Sequence, residues 1–260
     1  MNNKLLFGVL IFCLVALVVL IIYRGVKPRV TEKKSVAAER KIYVFFGPNA
    51  CGKGTTAARC ASEGFVTIST GDLLRKNVEE KTELGRHAKE YMGKGLLVPD
   101  EIVINMVADW LSRQTGSNAP IIFDGFPRTH AQAVRLLDML DKGVVGPYKI
   151  NVVRFKISPD ELVKRALFRV ICSNKLCQHV YSTKDDRPRT PGMCDLCGSQ
   201  LVRRPDDTEE IVRKRYQDYL TNEGPVLQFF SERSVPVHEV SAEQPIDKVH
   251  EAFKEIDKKA

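Results

Sequence analysis

An uninterrupted apolar run, Ile42-Tyr-Val-Phe-Phe46, leads straight into Gly47-Pro-Asn-Ala-Cys-Gly-Lys-Gly-Thr55. Gly47, Gly52 and Lys53 stand at the G-x-x-x-x-G-K spacing of a phosphate loop, and nothing else in the chain constrains the fold as tightly. Such a loop turns successive backbone N–H groups inward around phosphate oxygens, where larger side chains would block them. It calls for a buried strand before it and a helix after it, whose N-terminal partial charge also faces the anion. Thr55-Thr-Ala-Ala-Arg-Cys-Ala61 supplies the helix. Lys53 is placed to reach the terminal phosphates. Gly54 stands where Ser or Thr often follows the lysine, so a hydroxyl ligand for metal directly after Lys53 is not expected.

Downstream, strands and helices alternate. Phe65–Ile68 reads as a strand, and Ser69-Thr-Gly-Asp72 opens a helix. Ile102, Met106 and Trp110 recur every four residues within Glu101–Leu111, one face of a helix, and Pro99 suits its first turn. Ala119–Phe123 is an apolar strand ending in Asp124, and Asn151–Ile157 is another. Ser158-Pro-Asp-Glu161 predicts a capping box with proline at the first helical position. Asp207-Thr-Glu-Glu210 is a further helix start, and Val235–Val240 a late strand. Alternating units of this kind predict an α/β fold, a parallel sheet flanked by helices.

The first forty residues differ in character. Leu5–Tyr23 is apolar without a charge, long enough for a transmembrane helix, and ends in Ile-Ile-Tyr-Arg, not in a small-residue cleavage site. Residues 1–24 are therefore expected to be a signal anchor and 25–40 a basic linker. Lys4 alone precedes the run, whereas Arg24, Lys27, Arg29, Lys33 and Lys34 follow it. That bias predicts a single-pass membrane protein with its large C-terminal portion in the cytosol. The net charge of +8 is spread over phosphate-site motifs, with no aromatic-interleaved basic strand, so nucleic acid is not an expected partner.

Two further motifs are much more specific. Asp124-Gly-Phe-Pro-Arg-Thr129 is followed by Gln132, and Ser69-Thr-Gly-Asp-Leu-Leu-Arg75 precedes both. Together with the phosphate loop and the pairs Arg165/Arg169 and Arg204/Arg215, they make residues 41–260 resemble the adenylate kinases, within the nucleoside monophosphate kinase family. The resemblance implies a P-loop NTPase-type sheet with two insertions, a helical monophosphate-binding segment over 69–98 and a lid over 170–206. It implies ATP, AMP and ADP as substrates and a monomer as the working form. ATP would lie against Gly47, Ala50, Cys51, Gly52, Lys53, Gly54 and Thr55, with Arg165, Arg169, Tyr181 and Gln244. AMP would meet Thr70, Gly71, Arg75, Leu97, Val98, Gly125, Arg128, Gln132, Arg204 and Arg215. Asp124, assisted by Asp72, would order Mg²⁺ through water. Lys53, Arg128, Arg165, Arg169, Arg204, Arg215 and Asp124 are the expected catalytic set. Thr70, Thr129 and Gln132 favour AMP over pyrimidine monophosphates as acceptor.

Arg165 and Arg169, four apart, are expected on one helix face, although Glu161 is placed to pair with Arg165 instead. Tyr181 reads equally as an entrance residue and as packing. Cys172-x4-Cys177 and Cys194-x2-Cys197, sixteen residues apart, predict a structural zinc site of four thiolates. Zinc-bearing lids of the family usually begin with C-x2-C, so the first pair departs by two residues. Asn49 and Ala50 also depart from the family's usual Pro and Gly. If position 50 needs a positive φ, alanine costs about 1 kcal/mol there. GTP as donor, or a tethered zinc-ribbon module without kinase activity, are the alternatives.

Overall fold

The computed structural model describes residues 39–174 and 177–260. In chain order they form β1 (Arg40–Phe46), α1 (Lys53–Ser62), β2 (Val66–Ser69), α2 (Thr70–Glu79), α3 (Glu83–Gly93) and α4 (Asp100–Ser112). Then come β3 (Ile121–Asp124), α5 (His130–Asp141), β4 (Tyr148–Lys156), α6 (Pro159–Phe168), β5 (Arg169–Cys172), β6 (Val180–Ser182) and β7 (Leu201–Val202). α7 (Glu209–Glu232), β8 (Val237–Ser241) and α8 (Ile246–Lys259) complete the chain.

The main sheet has the order β2-β3-β1-β4-β8, and every pairing in it is parallel. From Ile42 onward β1 is apolar because it is covered on both faces. Ile42 and Val44 enter one apolar cluster with Ile121, Phe123, Val152 and Phe230. Tyr43 and Phe45 enter the other with Ile122, Val153, Phe155 and Phe253, as the two-residue period of a strand requires. Asp124 lies opposite Phe45 in one pairing and Ser69 in the other. The carboxyl ends of β1, β2 and β3 are therefore level, and the phosphate loop and α2 leave from that edge.

Two boundaries move. Arg40, read as the last linker residue, is the first residue of β1 and is 1% exposed. Its Nε and Nη1 donate to the carbonyls of Ala119 and Gln114, each at 2.7 Å, and tie the sheet's edge to the loop before β3. α6 ends at Phe168, so Arg169 does not share a helix face with Arg165. It has extended dihedrals (φ −70°, ψ 132°) and begins β5. The predicted capping box is also absent: the Ser158 side chain caps nothing, its N–H donates to Glu243 Oε1 at 2.8 Å, and Glu161 accepts from Arg165 Nε at 3.0 Å.

The segment expected to be the lid, and called so below, holds a small antiparallel sheet, β6-β5-β7, around Val170, Cys172, Tyr181 and Cys194. The membrane placement is corrected. No helix among the described residues is long and apolar enough to cross a membrane, and the expected span over 5–23 lies outside them.

Candidate active site

The loop before α1 is shaped by three backbone positions. A Cβ on Gly47 would stand 3.0 Å from both Cys51 Sγ and the Phe155 carbonyl, so the close approach of β4 excludes any side chain. Gly52 has φ 98°, and its carbonyl accepts from the Thr56 N–H at 3.0 Å and from Thr56 Oγ1 at 3.1 Å. Ala50 has φ 63°, the left-handed region that disfavours an alanine. The strain anticipated at this position is present.

Lys53 opens α1 and is 6% exposed. Its Nζ donates to the carbonyls of Gly47 at 2.9 Å and Pro48 at 2.7 Å, which holds the ammonium inside the loop's curve. A Cβ on Gly54 would lie 3.2 Å from Asp124 Oδ2. The carboxylate at the end of β3 thus crowds any side chain at position 54. Burial pushes the Asp124 pKa up, Lys53 and Arg128 oppose that, and Asp72 adds to it. The turn carrying Gln244 stands against the loop, since a Cβ on Gly52 would lie 3.8 Å from Ile246 Cδ1.

The residues expected on the acceptor side gather around Gly125. Its carbonyl accepts from Thr70 Oγ1 at 2.8 Å and from Arg128 Nε at 2.9 Å. A Cβ there would lie 2.9 Å from Arg128 and 3.0 Å from Thr70, at φ 78°. Only glycine lets the two converge. Burial pushes the Arg128 pKa down to about 10. A Cβ on Gly71 would meet the Arg75 guanidinium at 3.3 Å. Leu97 and Val98 lie in the segment between α3 and α4, with Val98 buried.

The arginines gather with their acidic partners. Asp72 is bound to Arg75 and lies 3.9 Å from Arg204. Burial pushes the Asp72 carboxyl up, but Arg75, Ser69 and Arg204 outweigh it and hold the pKa below the ordinary value. Arg215 Nη1 donates to Asp206 at 2.8 Å, and Arg169 Nε to Asp207 at 2.8 Å. Arg204 Nε is buried without a hydrogen-bond partner among the described residues. Burial, then Arg75 and Arg169, push the Arg204 pKa down to about 10. Arg165 is the exception, held by Glu161 on its own helix.

In the lid, the sulfurs of Cys172, Cys177, Cys194 and Cys197 all lie within 4.8 Å of one another, with Cys172–Cys197 at 3.3 Å and Cys177–Cys194 at 3.6 Å. A tetrahedral zinc with Zn–S of about 2.3 Å separates its sulfurs by about 3.8 Å, so the donor set fits. The two extra residues of the first pair do not stop Cys177 from joining the cluster. Tyr181 packs: it is 4% exposed, accepts from the Asp195 N–H at 2.8 Å and lies 3.6 Å from Cys194 Sγ. Its hydroxyl supports the cysteine cluster and is not at an entrance.

A model of the family described as adenylate kinase matches residues 45–235, well over half of the chain. The chain belongs to the adenylate kinase family. An adenylate kinase of Clostridioides difficile (strain 630) is 40% identical over 209 residues, covering 80% of this chain and 94% of the relative. One of Archaeoglobus fulgidus is 40% identical over 215 residues, covering 82% and 95%. One of Thermococcus kodakarensis is 38% identical over 208 residues, covering 79% and 89%. The protein is thus a nucleoside monophosphate kinase.

Two features of the site escaped sequence reasoning. Thr129 caps α5: its Oγ1 accepts from the Gln132 N–H at 3.2 Å, so the T-x-x-Q spacing that was read as substrate choice is also a helix start. Asp100 holds both residues, and it carries no signal in the sequence because it lies 29 and 32 positions away.

Proposed function

We propose that the protein transfers the γ-phosphoryl group of Mg-ATP reversibly to AMP, giving two ADP, and so balances adenine nucleotides. The observation that carries this reading is Arg204. A half-buried guanidinium whose buried Nε is unpartnered among the described residues, pressed by Arg75 and Arg169, is relieved by a phosphate dianion. In the reaction an AMP phosphate oxygen bonds to the γ-phosphorus while the bond to the β–γ bridging oxygen breaks. The nucleophile is already anionic, so no general base is required. Positioning and charge neutralisation do the work.

Lys53 and the N-terminus of α1 hold the donor phosphates within the cradle of Gly47, Ala50, Cys51, Gly52, Gly54 and Thr55, with Gln244 near the donor base. Arg75 and Arg128 hold the AMP phosphate. Arg204 and Arg215, with Arg169 and Arg165, neutralise charge between the two. Arg169, Arg204 and Arg215 reach the site from the lid and its following helix, so their acidic partners Asp207, Asp72 and Asp206 fix them until phosphate competes. Thr70, Gly71, Leu97, Val98, Gly125 and Gln132 enclose the acceptor. Asp124 and Asp72 would hold a hydrated Mg²⁺, which would screen the phosphates. Cys172, Cys177, Cys194 and Cys197 would hold a structural zinc ion that cross-links the lid.

ADP formation by the purified protein, given Mg-ATP with AMP, UMP or CMP in turn, tests the proposal. Turnover with AMP alone is expected. Turnover with UMP or CMP and none with AMP would overturn the acceptor assignment.

A further inference from the structure

Asp100 opens α4 and is half-buried. Its two oxygens are divided between two residues of another element. Oδ2 accepts from Thr129 Oγ1 at 2.7 Å, and Oδ1 accepts from Gln132 Nε2 at 2.7 Å. Gln132 in turn accepts at Oε1 from the Arg128 backbone N–H at 2.8 Å. These partners leave the amide one orientation. A carboxylate only accepts, so Nε2 must face Asp100, and a backbone N–H only donates, so Oε1 must face Arg128. Turned over, Gln132 would set oxygen against oxygen and hydrogen against hydrogen. At 2% exposure, water cannot repair that mismatch.

We propose that Asp100 is a positioning residue that fixes the amide order of Gln132 and, through it, the choice of nucleobase at the acceptor site. The inference rests on the reading of Gln132 as the residue that meets the acceptor base. With its two internal bonds made, Gln132 keeps one lone pair on Oε1 and one hydrogen on Nε2. Adenine presents a donor at N6 beside an acceptor at N1. Hypoxanthine presents the reverse, an acceptor at O6 beside a donor at N1. A locked amide matches one order, and an amide free to turn matches either. Thr129 serves the same end, because it caps the helix carrying Gln132 while donating to Asp100.

The test is the ratio of kcat/KM for AMP to kcat/KM for IMP, a quantity independent of how much of a preparation is folded. Asp100→Ala removes both accepting oxygens, so the ratio is expected to fall about tenfold or more while KM for ATP holds steady. In a Gln132→Ala background the same substitution should change the ratio no further, since Asp100 acts only through that amide. An unchanged ratio in Asp100→Ala, or a further fall in the Gln132→Ala background, would overturn the role of Asp100. So would a rise in KM for ATP as large as that for AMP. Wild-type protein with no AMP turnover would sink the functional reading itself, whereas wild-type AMP turnover with an unchanged ratio sinks only this inference.

Discussion

Around the phosphate loop, Tyr43, Phe45, Phe155 and Phe253 form a cluster at most 1% exposed, and a second apolar cluster covers the other face of the same sheet. Among the described residues of the lid, Val170, Cys172, Tyr181 and Cys194 are the buried apolar cluster, and two of the four are cysteines. Met193, Leu196 and Val202 of the same segment are exposed. The loop rests on hydrophobic burial, so its backbone survives the loss of one polar contact. The lid buries little apolar area, so on the proposed zinc reading its order would depend on the cross-linked sulfur atoms. Changes at the loop should therefore remove chemistry and spare the fold. Changes at the lid should remove local structure and spare the sheet.

The sharpest break would come from Lys53→Ala. Turnover should fall about 100-fold or more, because in the proposed reaction the ammonium held inside the loop would neutralise the transferring phosphates. Circular dichroism should change little, since the clusters on both faces of β1 are untouched. A variant that unfolds instead would show that the loop needs this lysine for its structure.

Next in size is the lid. Elemental analysis should find about one zinc per chain, and Cys194→Ser should lose it. Hydrogen exchange should then rise across β5, β6 and β7 while β1 and β3 keep their protection. Lid amides that stay protected without metal would mean the small core suffices and the two regions are alike.

The smallest effect belongs to Ala50→Gly. Relief of the left-handed alanine should stabilise the protein by about 0.5–1 kcal/mol, net of the added freedom of glycine in the unfolded chain. For a domain of this size that is a rise in Tm of about 2 °C. No rise, measured calorimetrically, would show that the loop bears no strain at this residue.

The phosphate loop was legible in the sequence because its residues are contiguous and each answers a local need. Glycines stand where β4 approaches or φ is positive, and a lysine stands at the helix start. Gly54 was legible as a departure, but its reason was not. The neighbouring Oδ2 of Asp124 comes from a strand that is remote in the chain and adjacent in the sheet. Arg165 and Arg169 show the opposite case. Their spacing suggested one helix face, yet α6 stops between them because Arg169 is drawn into the lid sheet and onto Asp207. Tyr181 offered two readings, and burial beside Cys194 decided for packing.

The sequence by itself determined the parallel sheet, the glycine-rich loop with its lysine, and the four cysteines that cluster, since each is written in residues close enough to constrain one another. Only the tertiary structure decided which acid holds which arginine, why Gly125 must be glycine, and that Asp100 accepts from Gln132. Those are contacts between elements brought together by the sheet order β2-β3-β1-β4-β8. Hydrogen bonds and ion pairs act over about 3–4 Å whatever the separation along the chain, so their partners are fixed by folding and not by spacing.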